Sequence, residues 1–146
     1  MSKAVASAVD YVAVHARLNG ARVAAVDLTR ARQWTYAEFD DWIARMCAAL
    51  RRRGIKRGDR VAALAKNRPG LVALHHACAR LGVMFVPLNW RLAPPELAWL
   101  VRDCAPRILL GDPGLRERFQ DAAVRNARRF AWGTLTNQLQ QVYQSA

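Results

Sequence analysis

Hydrophobic and polar positions along the chain follow helical spacing in some stretches and form short apolar runs in others. The clearest helical stretch follows Thr35, and its apolar positions recur every three to four residues: Phe39, Trp42, Ile43, Met46 and Leu50. Thr35 and Glu38 have the spacing of a capping box, in which each side chain accepts a hydrogen bond from the other residue's amide. The pattern predicts an amphipathic helix that begins at Thr35 and ends at Gly54.

Other segments divide in the same way between strands and helices. Strands are predicted at residues 22–28, 33–34, 60–65, 83–88 and 107–110, and helices at 4–18, 67–81, 94–103, 115–130 and 134–141. The pair at 33–34 has the position to fold back onto 22–28. The four longer strands are apolar throughout and are separated by helices, an order typical of a parallel sheet covered on both faces. The predicted fold class is therefore α/β: a small parallel sheet with flanking helices, followed by a helical C-terminal appendage.

Composition adds little beyond one unusual quantity, the charge. The 146 residues carry 23 Lys and Arg against 11 Asp and Glu, a net charge of +12. The excess is spread along the chain, and its densest cluster, residues 51–60, has no interleaved aromatic residues on which bases could stack. A nucleic-acid partner is therefore not expected. No apolar run approaches the ~18 residues of a membrane span, and three widely spaced cysteines form no disulfide framework. Together these features predict a cytoplasmic protein.

No catalytic or metal-binding set emerges from the residues alone. His75 and His76 are adjacent on a predicted helix, so their side chains point about 100° apart and do not chelate one ion together. His75 falls on the apolar side of that helix, which predicts a core or interface histidine.

Residues 21–112 resemble the N-terminal segment of the adenylate-forming acyl-activating enzymes, in particular the acyl-CoA synthetases. Four blocks carry the resemblance in the same order and spacing: WTYAEF (34–39), RRGIKRGDRVAALAKNRP (52–69), ARLGVMFVPLNWRLAPPEL (79–97) and DCAPRILLGD (103–112). The resemblance implies that residues 1–112 form part of the N-terminal subdomain of an AMP-binding enzyme. It also implies a reaction for the full-length family, in which an acid and ATP form an acyl-adenylate that is then transferred to CoA.

The family's catalytic motifs have no counterpart in these 146 residues. The phosphate-binding loop is a Gly/Ser/Thr-rich stretch followed by Lys, whereas the stretch GDPG at 111–114 contains neither Ser, Thr nor Lys. We therefore expect this chain alone to be inactive and to hold no cofactor, with ATP, magnesium and CoA implied only for the full-length family.

One site residue is carried over by the resemblance. In related ligases the Arg of an N-x-R-L block lies near the phosphates of CoA, and here that residue is Arg91. A guanidinium after the carboxyl end of a strand suits a phosphate. The alternative is that Arg91 braces the loop before Pro94.

Residues 113–146 depart from that pattern and are predicted to form a two-helix tail. They resemble the C-terminal helices of nucleotide-sugar glycosyltransferases, in which this segment is a packing element. A natural fusion, a truncated reading frame and a constructed chimera all remain open. So do two other functions: a stand-alone binding or oligomerisation module, and, less favoured, a basic nucleic-acid binder. As partners we expect self-association or packing with a complementary domain, or else docking of the tail on the exposed apolar face, with docking slightly favoured.

Overall fold

The computed structural model describes residues 9–112 and 114–115. The chain divides into two compact units whose boundary lies between Asp41 and Trp42. The two predicted tail helices (115–130 and 134–141) lie outside the described residues apart from Leu115, and so does the start of the predicted helix 4–18. The predicted domain boundary at residue 112 therefore stays a prediction.

Nine elements occur in the described residues. In chain order they are α1 (Tyr11–Asn19), β1 (Val23–Asp27), β2 (Arg32–Thr35), α2 (Tyr36–Arg52), β3 (Arg60–Leu64), α3 (Pro69–Leu81), β4 (Met84–Leu88), α4 (Pro94–Cys104) and β5 (Ile108–Gly111). Every predicted element within the described range is present, with bounds shifted by one or two residues except for α1, which begins at Tyr11.

The first unit contains a β-hairpin rather than a strand of the parallel sheet. β1 pairs with β2 in antiparallel orientation, which confirms that residues 33–34 fold back onto 22–28. The prediction that 22–28 belongs to the parallel sheet is wrong: β1 and β2 form a separate two-stranded sheet, and the four-residue connection between them is long enough only for an antiparallel pair. Asp27 tightens this connection: its Oδ1 accepts the N–H groups of Thr29 at 2.9 Å and Arg30 at 3.2 Å.

The start of α2 has the predicted capping box. The Glu38 carboxylate accepts the Thr35 N–H at 2.8 Å, and the Thr35 hydroxyl oxygen lies 3.3 Å from the Glu38 nitrogen, whose N–H it accepts. The hydrogen bond from the Thr35 amide is the largest of the effects that hold the pKa of Glu38 below its usual value. Gly54 follows the helix in the left-handed region at φ 74°, as expected of a residue that ends a helix.

The second unit contains a three-stranded parallel sheet in the order β4-β3-β5. The parallel arrangement and the flanking helices confirm the predicted α/β class, although the sheet has one strand fewer than expected. Leu64, the last residue of β3, pairs with Leu88 on one side and Gly111 on the other. Pro87 lies within β4, which is at one edge of this sheet, where its missing N–H costs least.

One core cluster of this unit lies on one face of the sheet, and all but one of its buried members come from the sheet and α4. Its buried members are Ala62, Leu64, Leu88, Leu97, Val101 and Leu115, with Trp90 and four other partly buried side chains packed against them. The alternate positions Val61 and Ala63 on β3 are buried as well, so both faces of the central strand are covered, as predicted for a parallel sheet.

Candidate anion-binding site

Loops that follow the three parallel strands meet at one edge of the sheet. Because the strands run in the same direction, their carboxyl ends lie together, and ligands of open α/β sheets bind at this edge. Lys66 comes two residues after β3, Asn89 directly follows β4, and Asp112 directly follows β5. This edge brings together residues 46 positions apart in sequence, since the amide of Lys66 donates to the Asp112 carboxylate at 3.1 Å.

The loop after β4 is a tight turn organised by Asn89. The Asn89 Oδ1 accepts the Arg91 N–H at 3.0 Å, and its carbonyl oxygen accepts the Leu92 N–H at 3.1 Å. Helix α4 then begins at Pro94, and the Glu96 carboxylate accepts the Ala93 N–H at 2.8 Å. The backbone that presents Arg91 is therefore fixed on both sides.

Arg91, the residue carried over from the family resemblance, is exposed at this edge. Its guanidinium carbon lies 4.9 Å from the centre of the Trp90 ring. Within the part of the chain that the structure describes, the side chain has no carboxylate partner, and the Asn89 bond uses its backbone rather than its guanidinium. Arg91 thus retains its hydrogen-bond donors for a ligand.

A second cation, which the sequence analysis did not single out, lies at the same indole. The Lys66 ammonium is 5.4 Å from the centre of the Trp90 ring, within the range of a cation–π contact. Lys66 is exposed, whereas Trp90 is half-buried and packs against the core. Only the register of β3 against β4 brings Lys66 beside a residue 24 positions later, so no local motif could have revealed it.

Asp112 is the acidic member of this edge. Besides the Lys66 amide, its Oδ2 is approached by the Arg68 guanidinium at 3.4 Å. The Asp112 N–H donates to the Leu64 carbonyl at 3.1 Å. Asp112 therefore ties the end of β5 to the loop after β3 and neutralises Arg68, while Lys66 and Arg91 keep their charges unpaired.

The same contacts test whether residues 111–114 fit a triphosphate. A phosphate loop presents free backbone amides and a cation. Here the Asp112 amide is used by Leu64, and the segment presents a carboxylate in place of a Lys. Asp112 therefore does not offer a triphosphate the free amide and the cation that a phosphate loop supplies.

The remaining residues considered from sequence bring no further site. His75 was predicted to be a core or an interface histidine. It is exposed, so the core alternative is wrong, and the interface alternative stays a prediction: Leu74 and Cys78 occupy the buried side of α3, and His75 contacts the rings of His76 and Phe85. Burial raises the pKa of the Cys78 thiol to about 12.

Over residues 9–112, no group of three or more His, Cys, Asp or Glu could hold a metal ion. Nor does any helix of the described chain have the length and apolar character to cross a membrane.

The fold is that of an open parallel α/β sheet, a class in which ligands bind at the carboxyl ends of the strands, and here that edge carries two exposed cations. The model of one family, the AMP-binding enzymes, matches residues 12–141. The chain belongs to that family. The match confirms the resemblance found for residues 21–112 and extends beyond it, and the likeness of the tail to glycosyltransferases stays a prediction.

Curated relatives include CoA ligases and synthases. Indoleacetate–CoA ligase of Aromatoleum aromaticum is 43% identical over 82 residues, which are 56% of this chain and 16% of that protein. Feruloyl-CoA synthase of an Amycolatopsis species is 42% identical over 79 residues, 54% of this chain and 16% of the synthase. The chain thus spans about 16% of the length of these relatives.

Solved structures of the family share the fold. The N-terminal domain of FACL13 from Mycobacterium tuberculosis superposes with a TM-score of 0.80 at 27% identity, over 92% of this chain and 35% of that one. A fatty acyl CoA synthetase of the same organism gives a TM-score of 0.75 at 27% identity, over 92% of this chain and 27% of the synthetase. The chain corresponds to a portion of the N-terminal domain of acyl-CoA synthetases.

Proposed function

We propose that this chain provides part of the CoA-binding surface of an AMP-forming acid–CoA ligase, and that Arg91 contacts a phosphate of CoA. The ligase would join a carboxylic acid to ATP as an acyl-adenylate and then transfer the acyl group to CoA. Membership of the AMP-binding family and the CoA ligases among the relatives support this function.

The observation that carries the proposal is the placement of Arg91. Its backbone is held by Asn89, its guanidinium lies at the carboxyl edge of the sheet, and no carboxylate in the described chain neutralises it. A fixed, unpaired guanidinium is suited to a phosphate oxygen, because charge-assisted hydrogen bonds to phosphate are short and strong. The alternative role, bracing the loop before Pro94, is less favoured, since the turn is held by Asn89 and Glu96 instead.

We further propose that the 146 residues alone do not catalyse adenylation. Asp112 does not help to cradle a triphosphate, since its amide and its carboxylate are both engaged within the protein. Binding of CoA by this surface alone is expected to be weak, because one or two exposed contacts offset little of the entropy lost on association.

Two measurements test the function. Pyrophosphate release should be absent when the chain is given ATP and a panel of acids that includes indoleacetate and ferulate, and measurable turnover would contradict the proposed inactivity. In NMR titrations with CoA, Arg91→Met should weaken binding by about tenfold, the loss expected for one charge-assisted contact. Arg102→Met, on the exposed side of α4, is the control for the loss of one positive charge. Equal affinities of the wild type and Arg91→Met would exclude the proposed contact.

We also infer that the second unit packs against other parts of such a ligase. Trp99 is 55% exposed on α4, Val72 is 51% exposed on α3 and Met84 is 47% exposed at the start of β4. Trp99 alone offers a partner a large apolar contact area, because an aromatic side chain buries about 150–250 Å² when it is covered. Trp99→Lys should reduce the self-association of the chain in size-exclusion chromatography with light scattering, and an unchanged mass would contradict the inference.

A further inference from the structure

The carboxyl edge of the sheet carries two unpaired cations at one aromatic ring. Lys66 Nζ and Arg91 Cζ lie 5.4 Å and 4.9 Å from the centre of the Trp90 indole. Both side chains are exposed, and neither has an acidic partner among the residues that the structure describes. Because both cations contact the same ring, they lie within about 10 Å of each other, where two positive charges repel and an anion with more than one negative charge is favoured.

Trp90 is suited to hold both cations in place. Its indole is half-buried against the core formed by β3, β4 and α4, which fixes the ring relative to the sheet. A cation over such a ring gains attraction from the ring's quadrupole and loses freedom of movement. The backbones of the two cationic residues are held as well, because Asp112 accepts the Lys66 N–H and Asn89 accepts the Arg91 N–H.

We propose that Lys66 is a second phosphate-binding residue of this site, and that Trp90 positions Lys66 and Arg91 to bind one phosphorylated ligand together. This inference rests on the proposed contact between Arg91 and CoA. It goes beyond that contact because it assigns a role to Lys66, from the loop after β3, and to the indole that joins the two loops.

The test compares the affinity of the full 146-residue chain and its variants for CoA by NMR titration at low ionic strength, where attraction between exposed charges is least screened. Lys66→Met removes the charge and keeps the length, and it should weaken CoA binding by about 5- to 20-fold, comparable to Arg91→Met. Lys66→Arg should bind within about threefold of the wild type. Lys56→Met removes an exposed charge from the loop before β3, at the opposite end of that strand, and should leave the affinity within about twofold.

Trp90 has its own pair of variants. Trp90→Phe keeps an aromatic face and should bind within about threefold of the wild type, whereas Trp90→Leu should lose about 3- to 10-fold although both cations remain. Because Trp90 also packs in the core, the melting temperature of each variant is measured in parallel. The salt dependence of the dissociation constant separates charge from packing: it should be shallower in Lys66→Met and Arg91→Met and unchanged in Lys56→Met.

The outcomes distinguish this inference from the proposed function. If Arg91→Met weakens binding and Lys66→Met does not, the Arg91 contact stands and the role of Lys66 is refuted. If Lys66→Met and Lys56→Met weaken binding equally, the attraction is a general effect of positive charge, and the inference fails again. If the wild type gives no CoA-dependent shifts, both proposals fail.

Discussion

Replacing Asp112 by Asn should change stability and anion affinity in opposite directions. Asp112 Oδ2 accepts the Lys66 N–H at 3.1 Å and pairs with the Arg68 guanidinium at 3.4 Å. The Asn side chain has the same shape and retains one acceptor, so the substitution removes the charge and leaves most of the local packing in place.

The loss of stability should be small. The side chains of Arg68 and Asp112 are 35% and 17% exposed, and a partly exposed ion pair contributes about 0.5–1 kcal/mol. Asp112→Asn should therefore lower the free energy of unfolding by about that amount in urea titrations. Asp112→Ala should cost more, about 1–2 kcal/mol, because the Lys66 N–H then loses its acceptor as well.

The affinity for CoA should rise. Without the carboxylate, Arg68 is no longer neutralised and becomes a third cation near Lys66, which should strengthen binding by about two- to fivefold at low salt, the effect of about 0.5–1 kcal/mol. The gain should diminish at high salt as exposed charges are screened.

Asp103→Asn is the matched control, because it removes the same charge from the end of α4, before β5 rather than after it. It should leave the affinity unchanged. If Asp112→Asn instead weakens CoA binding while Asp103→Asn does not, Asp112 acts mainly by holding the Lys66 backbone, and the electrostatic reasoning is refuted.

Three further predictions concern the fold. Thr35→Ala should lower the free energy of unfolding by about 1 kcal/mol in urea, the usual cost of a lost N-cap. Because the cap lowers the pKa of Glu38, the stability that this carboxylate contributes is present above about pH 4.5 and is lost as the pH falls through the folded-state pKa. The variant Glu38→Gln should not show this acid loss. Gly82→Ala and Gly54→Ala both place a Cβ at positive φ, and each should lower the free energy of unfolding by about 1 kcal/mol in thermal unfolding. The loss should be larger at Gly82, where an arginine side chain lies 3.0 Å from the added carbon. Equal losses would show that this contact is relieved by movement of the arginine side chain. Burial, the larger cause, and a neighbouring buried cysteine raise the pKa of Cys78 from 9.0 to about 12. The stability that its neutral thiol contributes is therefore full below about pH 9 and is lost as the pH rises toward 12, which urea unfolding at a series of pH values should show. An equal alkaline loss in Cys78→Ala would assign the effect to other groups.

Local patterns in the sequence predicted the elements well, because the interactions that determine them are local. The capping box of Thr35 and Glu38 spans three residues, and Gly82 ends α3 in the left-handed conformation expected of a C-terminal glycine. The main error in the sheet was the placing of residues 22–28 in it, since β1 pairs with β2 in a separate hairpin. An apolar run such as 22–28 suits a parallel or an antiparallel strand equally, and the orientation depends on the length of the connection that follows it.

The exposure of His75, for which a core position was one of the two predicted alternatives, has a related cause. Helical spacing places His75 beside the apolar positions of α3, yet the width of the buried stripe is set by the packed neighbours rather than by the helix itself. Leu74 and Cys78 fill the buried side, and His75 falls just outside it, against Phe85. Periodicity fixes the angle between side chains on a helix, but only tertiary packing decides how many of them are covered.

The same limit explains why half of the candidate site was found from sequence. Arg91 belongs to a contiguous block that resembles a family motif, so one residue could be carried over by position. Lys66 belongs to a different loop, and its relation to Trp90 depends on the pairing of Leu64 with Leu88, which places the two following loops side by side. A site built from the ends of parallel strands is therefore distributed in sequence by construction, and a second cation in it becomes visible only when the register of the sheet is known.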